Sequence, residues 1–133
     1  MTPNRMEAFA LAGAYLRGTV VPVSQDAPLL AVGATLMSSW RPDMLLVTLG
    51  PDGMALFQHG QPVHHEPTVA REVFDVSGAG DTVIAAFTAA HRAGLTPHQA
   101  MVFSNHAAGV VVGKIGTVPI EPADLLASFP DTP

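Results

Sequence analysis

An α/β fold is predicted by three features of the 133-residue chain. Residues 44–49 form a short, continuous apolar run, the pattern of a strand buried on both faces by flanking helices in a parallel sheet. Runs with helical spacing lie on both sides of it. Further on, an extended segment over 69–76 feeds a strongly helical run from Asp81 through Ser77-Gly78-Ala79-Gly80. The 48% apolar share argues against a disordered tail and suits one compact domain with a sizeable core.

Taken in order, residues 7–17 carry Ala, Leu and Phe at helical density and stop at Gly18, which predicts a first helix. Ser24 or Asp26 can cap a second helix over 28–40, where Leu29, Val32, Leu36 and Trp40 recur at helical spacing until Pro42. After the strand at 44–49, Gly50-Pro51-Asp52-Gly53 is turn chemistry. Residues 54–58 and 62–65 then read as a hairpin that leaves the main sheet order. The glycine loop opens a helix over 81–92, and Thr96 followed by Pro97 caps another that runs to about Gly113. A short helix follows Pro122, and a polar tail begins at Pro130.

Composition removes several function classes. A net charge of -5 with six Lys plus Arg leaves no basic stripe for a phosphate backbone, so no nucleic-acid partner is expected. With no cysteine there is neither a disulfide framework nor a thiolate metal site, which fits a cytoplasmic protein. Residues 8–16 resemble the apolar region of a signal peptide, but Arg5 is balanced by Glu7 and no cleavage site follows. No run approaches the ~20 apolar residues that span a bilayer, so no membrane partner is expected. His59 and the adjacent His64 and His65 lack metal-ligand spacing, since neighbours on a strand point to opposite faces.

The chemistry concentrates in Asp75-Val76-Ser77-Gly78-Ala79-Gly80-Asp81. Glycines let the backbone approach a ligand, and the start of the next helix offers unpaired N–H groups at its positive end. Gly78, Ala79 and Gly80 are therefore candidate anion-hole donors, able to stabilise the charge that phosphoryl transfer concentrates on the moving group. Asp81, in the first helical turn, is the candidate catalytic base for a substrate hydroxyl. The plainer alternative is a tight strand-to-helix turn with Asp81 as a capping residue. The loop is neither a Walker loop, which needs Gly-Lys-Ser/Thr, nor the dinucleotide Gly-x-Gly-x-x-Gly.

This heptapeptide resembles the C-terminal signature of the ribokinase-like (PfkB) carbohydrate kinases, and two more patterns of that family occur in the right order. Asn4-Arg5-Met6-Glu7 is similar to its Asn-x-x-Glu motif, and Thr48-Leu49-Gly50-Pro51-Asp52-Gly53 to its Thr-x-Gly-x-x-Gly. The resemblance implies a Rossmann-like, three-layer ribokinase-type fold of which residues 1–133 are the C-terminal, nucleotide-binding and catalytic portion only, without the sugar-binding half. It implies ATP and magnesium as cofactors, with Asp81 as the base and Gly78 to Gly80 as the anion hole. Asn4 and Glu7 would organise magnesium through water, which suits a cation reluctant to dehydrate. Thr48, Gly50 and Gly53 would border the nucleotide, and Asn105, with Ala108 and Gly109, would lie beside the adenine. Asp75 is the position for a monovalent cation, as in some relatives.

Each of these residues has a structural alternative: an N-cap with a first-turn acid for Asn4 and Glu7, a hairpin turn for Thr48 to Gly53, a hydrogen-bonded helix residue for Asn105. Asp75-Val76-Ser77 and the stretch Ala107-Ala108-Gly109-Val110-Val111-Val112-Gly113-Lys114-Ile115-Gly116-Thr117 resemble the heptose 7-phosphate kinase branch, which implies a role in ADP-heptose synthesis. Ser77 stands where that branch usually has Thr. Two function classes follow: phosphorylation of a sugar or sugar phosphate by ATP, or a nucleotide-binding or interaction module without turnover. With few charges to cover apolar surface, self-association into a homo-oligomer is expected.

Overall fold

The structure, a computed structural model, describes residues 1–73 and 75–130. It divides into two compact units, Met1–Pro67 and Thr68–Pro133. The first unit contains α1 (Arg5–Leu11), α2 (Ala27–Ser39), β1 (Met44–Thr48), β2 (Met54–Gln58) and β3 (His64–Glu66). The second contains α3 (Ala79–Arg92), α4 (Pro97–Val112) and α5 (Pro122–Ser128). No helix among the described residues is long and apolar enough to cross a membrane.

In the first unit β1 is the inner strand. Its Leu45, Leu46 and Val47 are all buried, which is why the run reads as continuously apolar. On one edge it pairs parallel with residues 1–4: the N–H groups of Leu46 and Thr48 donate to the carbonyls of Met1 and Pro3 at 2.9 and 3.0 Å. On the other edge it pairs antiparallel with β2, Leu46 opposite Leu56, and β2 pairs with β3, Ala55 opposite His65. The hairpin thus leaves the parallel order as predicted, although its second strand is His64–Glu66 rather than 62–65, because Pro62 has no N–H for a ladder. Leu29, Val32 and Leu36 of α2 pack with Phe9, Leu45 and Val47 in the core. Gly33 lets that helix close on the sheet, since a Cβ there would collide with the Phe57 ring.

The first helix differs from expectation: it begins at Arg5 and ends at Leu11 instead of running over 7–17. Gly13 is the reason. With φ of 66° it closes a Schellman turn, in which the Ala14 N–H donates to the Phe9 carbonyl at 2.9 Å and the Gly13 N–H to the Ala10 carbonyl at 3.1 Å. The chain beyond is held by Arg5, whose guanidinium donates to the carbonyls of Arg17 and Gly18 and to the Asp26 carboxylate. Asp26 is inaccessible to solvent and also accepts the N–H groups of Val20 and Leu29, so it caps α2 and fixes the preceding loop together.

In the second unit α3 and α4 form a helical hairpin. Val83, Phe87 and Ala90 of α3 and Ala100, Met101, Ala107 and Val111 of α4 are buried. Helix α3 ends in another Schellman turn at Gly94, and Thr96 opens α4 with a capping box shared with Gln99. Helix α5 returns to α4 through His106, which stacks on Phe129 and hydrogen-bonds to the Ser128 hydroxyl at 3.1 Å. The extended segment expected over 69–76 forms no ladder at residues 69–73 and 75–76, and Phe74 within it lies outside the described residues. Its polar groups are used locally: the Ala70 N–H donates to the Thr68 hydroxyl, and the Asp75 N–H to the Val112 carbonyl at the end of α4.

Candidate functional site

The sequence motifs fall at the ends of these elements, and each unit carries its own group. In the first unit, residues 1–4 and β1 run parallel and terminate together, with Asn4 bridged to Thr48. The carboxyl ends of parallel strands are where open α/β sheets bind ligands. Asn4 caps α1 in a reciprocal box: its Oδ1 accepts the Glu7 N–H at 2.8 Å, and Glu7 Oε2 accepts the Asn4 N–H at 2.8 Å. The capping role is therefore real, and it fixes the side-chain oxygens of both residues near the strand ends. Thr48 leads into Gly50–Asp52, a single 3₁₀ turn rather than a simple hairpin turn. Gly53 then takes φ of 89°, and a Cβ there would collide with the Glu66 carbonyl, so only glycine fits. His65 Nε2–H donates to the Asp52 carbonyl at 2.7 Å and ties the turn to β3.

In the second unit the glycine loop has the form its composition predicts. Gly78 is the N-cap of α3 with φ of 77°, a left-handed conformation that a side chain would strain. Ala79, Gly80 and Asp81 follow as the first turn of the helix, so the N–H groups of that turn lack partners inside the helix. Asp81 is exposed in that turn, the one acidic residue of the first turn of α3. Asp75 is the organiser of the loop. Its Oδ1 accepts the Ser77 N–H at 2.8 Å, and its Oδ2 accepts the Gly116 N–H at 3.1 Å. The Ser77 hydroxyl and N–H, then the Gly116 N–H, hold the Asp75 carboxyl below the usual carboxylate range. It stays charged down to acidic pH.

The structure gathers Asp75, Gly78, Ala79, Gly80 and Asp81 in one loop and helix start, and Asn4, Glu7, Thr48 and Gly50 at one sheet end. Along α4 the expected trio separates: Asn105 is buried, at 3% exposure, whereas Gly109 opens onto a groove of about 520 Å³ beside Val69, His106 and Ser128. Sequence reasoning passed over two contributors. Gly116 and Thr117 lie beside the glycine loop, yet their stretch was legible only as a marker resembling the heptose kinase branch. Arg5 sets the path of the loop after α1 by tying it to Asp26, which the sequence marks only as a cap candidate for α2. Among the described residues no group of three or more His, Asp or Glu side chains could enclose a metal.

The fold is that of the ribokinases. Arabidopsis thaliana ribokinase complexed with ribose and ATP superposes with a TM-score of 0.78 at 26% identity, over 96% of this chain and 39% of that one. Escherichia coli phosphofructokinase-2 in complex with potassium matches with a TM-score of 0.80 at 19% identity, over 95% and 38% of the two chains, a likeness of fold alone.

A family model, pfkB family carbohydrate kinase, matches residues 1–124, and the chain belongs to that family. Among curated relatives it is similar to the bifunctional protein HldE of Pseudomonas paraeruginosa, 46% identical over 125 residues, which are 94% of this chain and 25% of that protein. HldE of Trichlorobacter lovleyi is 42% identical over 128 residues, 96% of this chain and 25% of the relative. The chain thus spans about a quarter of the length of these relatives.

Proposed function

We propose that this chain is the nucleotide-binding and base-bearing portion of an ATP-dependent sugar kinase domain, the other portion being a sugar-binding half. The observation that carries the proposal is the left-handed Gly78 opening α3 with Asp81 in its first turn. Asp81 takes the proton of a sugar hydroxyl as that oxygen attacks the γ-phosphorus of ATP and the bond to the leaving ADP oxygen breaks. Of the candidate donors Gly78, Ala79 and Gly80, the N–H groups of Gly78 and Gly80 donate to the oxygens of the moving phosphoryl group, while that of Ala79 donates to the Val76 carbonyl at 3.2 Å and would have to leave it to join them. Within the first unit Thr48, Gly50 and Gly53 are the candidates to border a nucleotide, and within the second Gly109, which opens onto the groove, is the favoured one of the α4 residues.

Asn4 and Glu7 fit magnesium through intervening water, since both present hard oxygens and neither has a third ligand beside it among the described residues. When bound, magnesium supplies charge neutralisation at the nucleotide phosphates. Asp75, kept ionised by its N–H partners, suits a monovalent cation. The similarity to HldE and the stretch from Gly109 to Thr117 favour a heptose 7-phosphate as acceptor, in a cytoplasmic pathway to ADP-heptose.

Calorimetric titration of the folded chain with ATP and ADP tests the nucleotide reading. Weak binding, in the millimolar range or somewhat tighter, is the expected result, because the glycine loop is complete. A chain with intact helical circular dichroism and no heat at millimolar nucleotide would overturn it. The alternative is a nucleotide-binding or interaction module without turnover. Binding without transfer, even when a sugar-binding half is supplied, is the result that would select it.

A further inference from the structure

We infer that Thr117 is a positioning residue for the anion hole, its γ-methyl bracing Gly78 in the left-handed conformation that aims the loop N–H groups. The inference rests on the ATP reading above. If a Cβ is built on Gly78, the nearest heavy atom is Thr117 Cγ2 at 3.2 Å, with the Thr117 hydroxyl oxygen at 3.7 Å. The methyl is therefore the group that lies against the glycine.

Thr117 is itself held in place. Its neighbour Gly116 turns with φ of 81° and donates its N–H to Asp75 Oδ2 at 3.1 Å, while the other oxygen of the same carboxylate takes the Ser77 N–H at 2.8 Å. One carboxylate thus fastens the loop after α4 to the loop before α3. Lys114 pairs with Asp124 of α5 and anchors the far side of the same loop. A brace mounted on two fixed points can restrain a third.

Gly78 needs restraint because glycine occupies positive and negative φ with nearly equal ease. A change at Gly78 would rotate the flanking peptide planes, swinging the Gly78 N–H off the phosphoryl oxygens and the Ala79 N–H off the Val76 carbonyl that it reaches at 3.2 Å. A side chain at 117 that fills the space beside the glycine blocks that rotation. The requirement is for a branched carbon, not for a hydroxyl.

Thr117→Val keeps a methyl on each branch, Thr117→Ser keeps only the hydroxyl, and Thr117→Ala keeps neither. Titrating each variant of the chain with ATP and with adenosine separates the roles. ATP affinity should match the wild type in Thr117→Val and fall about five- to tenfold in Thr117→Ser and Thr117→Ala, the scale of one weakened hydrogen bond. Adenosine affinity should not change, because the brace acts on the phosphate end. Wild-type affinity in Thr117→Ser with loss in Thr117→Val would make the hydroxyl the active group and overturn the inference. So would equal ATP affinity in all variants, or a loss that extends equally to adenosine. A wild-type chain that is folded and binds no ATP would instead overturn the nucleotide reading, and this inference with it.

Discussion

At the scale of single residues, the polar groups with most influence on the fold are Arg5 and Asp26. Burial pushes the Asp26 carboxyl upward, but the N–H groups of Val20 and Leu29 and the Arg5 guanidinium more than offset it, so the group sits below its ordinary range. Asp26→Ala removes the α2 cap and leaves the largely buried Arg5 guanidinium without its carboxylate partner, a loss of about 3 kcal/mol or more. Urea unfolding of the variant checks this, and a loss under about 1 kcal/mol would contradict it. The sign of the pH effect follows from the lowered value. The stabilisation is fully present above the unfolded carboxylate value of about 4 and is lost as pH falls through the still lower folded value. The gap between wild type and variant should therefore be constant from neutral pH down to about pH 5 and close only in stronger acid.

At the scale of elements, most of the fold was legible where a local rule met no competitor. Thr96-Pro97 opened α4, Asp26 capped α2, and the buried run of β1 was visible because both of its faces are covered. The first helix was misjudged because Ala14, Tyr15, Leu16 and Arg17 keep helical composition beyond Gly13, while the Schellman turn and the pull of Arg5 on the Arg17 and Gly18 carbonyls depend on tertiary placement. The segment before the glycine loop has a strand-like sequence, yet Asp75 spends its N–H on the end of α4. Site residues were legible in proportion to their need for special backbone: Gly53 and Gly78 announce themselves by positive φ. Thr117 does not, since its contact with Gly78 joins residues far apart in sequence.

At the scale of the molecule, two features support self-association. With residues 1–4 beside β1 and the order β1-β2-β3 beyond it, the outer edges of residues 1–4 and of β3 pair with no further strand among the described residues. Tyr15, 92% exposed, lines a groove of about 290 Å³ with Phe9, Ala12 and Val32, and Leu11, Leu16, Val20 and Val21 of the same unit are exposed. Light scattering at tens of micromolar should give a homodimer or larger species, and a monodisperse monomer would contradict that expectation.

The central claim is that Asp81 is the base and the glycine loop the anion hole, two functions on one helix start. Phosphoryl transfer by a complete kinase domain carrying this chain, measured for wild type and Asp81→Asn alongside ADP affinity, tests it most directly. The predicted result is a rate lower by ~10²-fold or more with ADP affinity nearly unchanged, since the lost group acts on the hydroxyl proton and the N–H donors remain. Retention of more than about a tenth of the rate would contradict the assignment, because a positioned general base contributes more than that.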